Sequence, residues 1–216
     1  MVMLKVWGRS NSINVQKVMW AVAELGLEYE RIDVGGKFGG LDSPELLARN
    51  PHGFIPVIND DGTIVWESHA IVRYLAAQYG DGSLWPSDPA TRSTADMYME
   101  WTQTVLQHDF IQLFWNLYRT SDEQHDHSLL ANLTAQCATN FSHMEGLLCD
   151  RPYITGQNLT YGDIPIATQF YRYFTLEIER PSLPRLEAWF SRMCERTAYA
   201  EHVMVPYEDL RARLAT

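Results

Sequence analysis

Hydrophobic and polar positions follow two different rhythms along this chain, and the change of rhythm divides it. In the first eighty residues, short apolar runs alternate with helical stripes. Leu4-Lys5-Val6-Trp7 reads as a strand stopped by Gly8. After the polar run Arg9 to Asn14, Val15, Val18, Met19 and Val22 recur at the i, i+3, i+4, i+7 spacing of an amphipathic helix. Gly26 stands where a left-handed residue ends such a helix. Tyr29 to Val34 reads as a second strand, followed by the glycine-rich 35–40 loop. Ser43-Pro44-Glu45 opens a short helix, with serine as cap and proline in the first turn. Ile55–Ile58 and Thr63–Trp66 are two strands whose Asn59-Asp60-Asp61-Gly62 connection predicts a hairpin. Ser68 is expected to cap a last helix through Ile71, Tyr74 and Leu75. The order is β-α-β-α-β-β-α.

Gly80 to Ser87 is rich in turn residues. Beyond it every periodic segment is helical. Asp88-Pro89 opens a long helix towards Tyr118, the polar 121–127 segment ends it, and a second helix runs from about Ser128 to Cys149. Thr160-Tyr161-Gly162-Asp163 has the S/T-x-x-D form of a helix start, with Leu159 and Ile164 placed as a hydrophobic staple. Pro184 to Glu195 is a further helix, with a polar tail after it. The expected division is an α/β domain over 1–80, a linker over 81–88 and an all-helical domain over 89–216.

Charge narrows the function. The 216 residues carry a formal net charge of −10. Residues 1–80 hold seven bases against nine acids, and residues 81–216 hold ten arginines against eighteen acids. That leaves no basic stripe for a phosphate backbone, so no nucleic-acid partner is expected. No run approaches the ~18 apolar residues of a membrane span, and the opening residues contain no apolar h-region, so no secretory signal is expected. Three cysteines, Cys137, Cys149 and Cys194, show neither redox nor zinc spacing and suit a reducing cytoplasm. His125-Asp126-His127 lies in a polar segment without a full ligand set, so no metal is expected.

A β-α-β-α-β-β-α order with proline at the third strand is the thioredoxin pattern, yet no cysteine precedes residue 137. The mouth of the first helix instead holds Ser10, Asn11, Ser12 and Asn14. Such a site supplies no thiolate of its own, but hydroxyls and free N–H groups there can stabilise one brought by a ligand. Three segments then carry a family resemblance. Ser12-Ile13-Asn14-Val15-Gln16-Lys17-Val18 resembles a serine-type first-helix entry, Asn50-Pro51-His52-Gly53-Phe54-Ile55-Pro56 an Asn-Pro-x-Gly-x-(Val/Ile)-Pro segment, and Glu67-Ser68-His69-Ala70-Ile71 a Glu-Ser-x-Ala-Ile motif. Together they resemble the cytosolic glutathione transferases of the theta, phi and related bacterial classes over nearly the whole chain.

The resemblance implies a thioredoxin-like domain followed by a helical one, glutathione as co-substrate, a small apolar electrophile, and a homodimer. It implies that Ser12 hydrogen-bonds the thiol, that Pro56 is cis and leaves the Ile55 backbone to pair with the cysteinyl part, and that Glu67 and Ser68 hold the γ-glutamyl end. Each residue keeps a second reading. Ser12 or Asn14 could serve only as a helix cap, Ser10 competes for the thiol, and Lys37 reaches either the glycyl carboxylate or solvent. Phe54 stands where many relatives carry lysine or glutamine, and it either walls the site or meets a partner subunit. Phe110, Phe114 and Trp115 line the co-substrate pocket or pack the core. A disulfide reductase or peroxidase on the same site, and a non-catalytic binding module, are the alternative functions.

Overall fold

The computed structural model describes residues 3–212. Four strands, β1 (Leu4–Trp7), β2 (Tyr29–Ile32), β3 (Val57–Asp60) and β4 (Thr63–Trp66), form one mixed sheet in the order β2-β1-β3-β4. β1 runs parallel to β2, with Leu4 opposite Tyr29, and antiparallel to β3, with Val6 opposite Ile58. The hairpin turns on Asp61 and Gly62, both at positive φ (47° and 90°), as a two-residue turn between twisted strands requires. The Asn59 side chain accepts the Gly62 N–H at 2.8 Å. The third strand begins at Val57, because Ile55-Pro56 forms the bend that leads into it.

Helices α1 (Ile13–Glu24) and α3 (Ser68–Tyr79) pack against each other on one face of the sheet. The short α2 (Pro44–Leu47) places Leu46 against Trp7 and Val57 on the other. Ser43 caps α2 through the Leu46 N–H, as its sequence predicts. Gly26, at φ +63°, follows the C-cap Leu25 of α1.

The second half is built from helices: α4 (Pro89–Trp101), α5 (Gln107–Tyr118), α6 (His127–Leu147), α7 (Asp163–Thr175), α8 (Pro184–Cys194) and α9 (Thr197–His202). α4 and α5 are one rod, joined by a π-helical turn over Thr102–Leu106 that periodicity does not reveal. The polar tail expected after Glu195 holds α9 and a 3-10 turn (Glu208–Leu210) instead. Tyr199, Val203 and Tyr207 anchor that segment by their burial. At the start of α7, the buried Asp163 carboxylate accepts the Thr160 N–H at 2.9 Å and the Thr155 hydroxyl at 2.7 Å. The Thr160 hydroxyl in turn accepts the Gly162 N–H at 3.2 Å.

One continuous core crosses both halves. Its bridge is α1, which packs against α3 on the sheet side and against α7 and α9 on the other. The side of α1 that an amphipathic pattern assigns to water is therefore buried too.

Candidate active site

Gly8 releases the chain from β1 where a Cβ would meet Val15 Cγ2 at 2.4 Å, so only glycine lets the strand pass so close to α1. The following loop delivers Ser12 as the N-cap of α1 in extended conformation (φ −81°, ψ 122°). Its side chain makes no capping hydrogen bond. The half-buried hydroxyl is thus free beside the positive end of the helix, where an anion is favoured.

On the far side of the loop, Asn14, Asn50, Phe54, Ile55, Pro56, Glu67 and Ser68 line a cleft of about 150 Å³. Six of the residues singled out in the sequence meet there. Ile55–Pro56 is a cis peptide, as the resemblance implies. Asn50 holds the approach in shape, donating to the Phe54 carbonyl at 3.0 Å and accepting the His52 N–H at 3.1 Å.

Ser68 corrects the sequence reading. Glu67, not Ser68, is the N-cap of α3, with Ser68 the first helical residue and buried in the cleft wall. Glu67 adopts φ +69°, ψ 119°, a conformation costing a side-chain-bearing residue on the order of 1–3 kcal/mol. The fold tolerates this bend, which places Glu67 and Ser68, at the N-terminus of α3, together in the lining of the cleft.

Ser10 and Lys37 lie elsewhere. Ser10 is exposed, and both residues line a cleft of about 410 Å³ with Phe38, Pro206 and Asp209. Lys37 faces Asp209 at 3.4 Å. Phe110 and Phe114 are corrected as pocket walls: both are sealed in the core, where Phe110 meets Tyr173 edge-on and Phe114 stacks on Tyr118. Trp115 of the same helix is exposed, with the Arg119 guanidinium 5.2 Å from its ring centroid. Phe54 is 66% exposed.

Lys17 is the residue that sequence reasoning missed. It is fully buried, and its Nζ donates to Asn14 Oδ1 at 3.1 Å, to His69 Nε2 at 2.9 Å and to Gln107 Oε1. Burial pushes its ammonium down to about 7, opposed by the Glu67 charge. Burial, then the Lys17 and Arg73 charges, push His69 down to about 2, so its imidazole is neutral at ordinary pH and accepts from Lys17. Asn14 Oδ1 also receives the Ser68 hydroxyl at 3.4 Å. The cleft is thereby linked by hydrogen bonds to α5 of the helical half.

A thioredoxin-like sheet with a cis-proline cleft, a serine-led helix mouth and an appended helical domain defines a glutathione-using architecture. Residues 2–77 match the N-terminal domain family of glutathione S-transferase and residues 94–197 match its C-terminal domain family. The chain belongs to the glutathione S-transferase family. It is 37% identical over 206 residues to glutathione S-transferase GstB of Escherichia coli K12, covering 94% of this chain and 99% of that protein. A theta-class glutathione S-transferase from Xanthomonas axonopodis pv. citri, solved with glutathione bound, superposes with a TM-score of 0.91 at 41% identity, covering 95% of this chain and 99% of that one. The Bombyx mori glutathione transferase BmGSTD1 follows at TM-score 0.86 and 26% identity, covering 96% of each chain.

Proposed function

We propose that this chain conjugates the glutathione thiolate to a small electrophile, with Ser12 holding the sulfur. The observation that carries the reading is the Ser12 hydroxyl, unused as a cap, at the mouth of the helix whose Asn14 lines the cis-proline cleft. Glutathione lies with its γ-glutamyl carboxylate on the Ser68 N–H and hydroxyl and its ammonium on the Glu67 carboxylate. Its cysteinyl backbone pairs with Ile55, next to Pro56. Ser12 donates to sulfur and Asn14 steadies the loop, so the bound thiol ionises at neutral pH. The sulfur lone pair then forms the bond to carbon as the leaving group departs with its electron pair.

The protein works in this reading as a cytoplasmic homodimer, and its three cysteines are free. Phe54 and Met97, exposed by 66% and 64%, are apolar surface for a partner copy to cover. An interface of about 1,600 Å² suffices. Arg73 pairs with Asp96 and Glu100 of its own chain at 2.8 and 2.9 Å.

The test is glutathione titration beside turnover of an aryl halide, a hydroperoxide and a mixed disulfide. Aryl-halide conjugation with saturable glutathione supports the proposal. Turnover of the disulfide or hydroperoxide alone gives the site to reduction, and no turnover with intact glutathione binding gives it to a binding module.

A further inference from the structure

The expected co-substrate is apolar, but the cleft on the other side of the Ser12 loop is strongly cationic. It measures about 380 Å³ and is walled by Arg9, Lys37, Arg119 and Arg211, with Asp209 the one carboxylate among its lining residues. It shares Asn11, Lys37, Phe38 and Asp209 with the cleft that contains Ser10, to which Glu208 adds a second acid. Four cations converging on one cleft are unexpected in a chain of net charge −10.

The local acids do not neutralise them. Asp209 accepts from Asn11 Nδ2 at 2.6 Å and faces Lys37 at 3.4 Å. Among the described residues, Arg9, Arg119 and Arg211 make no ion pair, and the buried Arg9 Nε has no hydrogen-bond acceptor. Burial and the neighbouring Arg119 charge both lower the Arg9 pKa, with Asp209 opposing, as expected where like charges meet. Beside them is the buried Arg172 of α7, whose Nε also lacks an acceptor. The guanidiniums are held in place. Arg211 lies 5.4 Å from the Tyr118 ring centroid and Arg119 5.2 Å from that of Trp115.

We propose that the preferred co-substrate is an electrophile bearing a carboxylate, which the Arg9, Arg119 and Arg211 guanidiniums bind while its reactive carbon faces the glutathione sulfur. The inference rests on the transferase reading above and adds the charge class of the second substrate. Planar guanidiniums suit a carboxylate because two N–H groups meet its two oxygens. With a benzylic chloride, sulfur forms the S–C bond, the C–Cl bond breaks, and chloride leaves with the bonding pair. The carboxylate is unchanged and the product is a thioether.

The experiment compares 4-(chloromethyl)benzoate with its methyl ester, each kcat/KM divided by its own uncatalysed rate constant with glutathione. The acid should be favoured by tenfold or more at low salt, and 0.5 M sodium chloride should shrink that preference. Arg119→Gln and Arg211→Gln, at exposed positions where folding is safe, should each cut the acid-to-ester ratio by about 10- to 100-fold, the range of a charged hydrogen bond. Asp209→Asn should raise the ratio by removing the competing carboxylate. Equal handling of acid and ester by the wild-type protein overturns the inference and leaves the transferase reading standing. Arg variants that raise the glutathione KM equally with both electrophiles overturn it differently, by giving the cations to the glycyl carboxylate of glutathione. Absence of both turnover and glutathione binding removes the transferase reading itself.

Discussion

Ser12→Ala separates a thiol-holding serine from a helix cap, because the two roles predict opposite pairs of results. A serine acting as cap loses about 0.5–2 kcal/mol of stability on truncation to alanine. Here the Ser12 side chain makes no capping bond, so the urea midpoint should correspond to a change within about 0.5 kcal/mol. A hydrogen bond from Ser12 to thiolate is charge-assisted and worth about 1.5–3 kcal/mol. At about 1.36 kcal/mol per pKa unit, its loss should raise the pKa of bound glutathione by roughly one to two units. Turnover at neutral pH should fall in proportion and recover in alkali as the thiol ionises unaided. The assay is ultraviolet titration of bound thiolate, run beside a denaturation curve on the same sample. Ser10→Ala should move neither, since that residue is exposed and lines the neighbouring cleft. An unmoved titration with about 1 kcal/mol lost from folding would refute the reasoning and return Ser12 to capping. A shift in Ser10→Ala alone would place the sulfur earlier in the loop.

Ser68→Ala should raise the glutathione KM with a smaller change in kcat, since the γ-glutamyl end is bound equally before and during reaction. It should fold normally, because Glu67 is the cap and the Ser68 hydroxyl makes only a 3.4 Å contact to Asn14; unchanged KM would remove it from the site. Glu67→Gly should relieve a left-handed side-chain residue and stabilise the fold by up to about 1 kcal/mol while weakening glutathione. A glycine variant that binds glutathione as tightly as wild type denies the carboxylate its role. For Lys17, the folded pKa of about 7 lies below the ordinary 10.5, so between these values the unfolded chain binds the extra proton and stability rises with pH. The urea midpoint should climb from pH 7 to 9.5 more steeply in wild type than in Lys17→Met, and parallel slopes would contradict a buried, depressed ammonium.

Local signals carried most of the fold. Asp61-Gly62 announces its own turn, and Ser43-Pro44 its helix, because each depends on backbone preferences within a few residues. The residues that line the cis-proline cleft were readable for the same reason, lying in three contiguous motifs. Lys17 was not readable, since the α1 stripe of Val15, Val18, Met19 and Val22 assigns the opposite side to water, while the partners that enclose its ammonium, His69 and Gln107, come from α3 and α5. Phe110 and Trp115 show the same limit from the other direction. Helical spacing groups aromatics on one rod without saying which will face the core. The cationic cleft gathers Arg9, Lys37, Arg119 and Arg211 from four separate segments, so no window of sequence contains it.

The helical half does more for this chemistry than supply a second wall. The Ser12 loop is fastened on each side by a buried cation. Before Ser12, Arg172 of α7 donates to the Asn11 carbonyl at 2.6 Å while lying 4.8 Å from the Phe114 ring centroid and 5.3 Å from that of Tyr207. After Ser12, Lys17 holds the Asn14 side chain and is itself tied to Gln107 of α5 and, through it, to Gln169 of α7. Burying two cations is costly, and desolvation lowers Arg172 to about 10 and Lys17 to about 7. Both costs fall beside one short loop, where replacement by apolar side chains would leave the Asn11 carbonyl without its side-chain donor and the Asn14 amide oxygen with only the longer Ser68 contact. In the role proposed for Ser12, its hydroxyl gains from such fastening, because about half an ångström of drift is enough to lose a hydrogen bond to sulfur. The helical domain thus helps set the position of a residue that the other domain encodes.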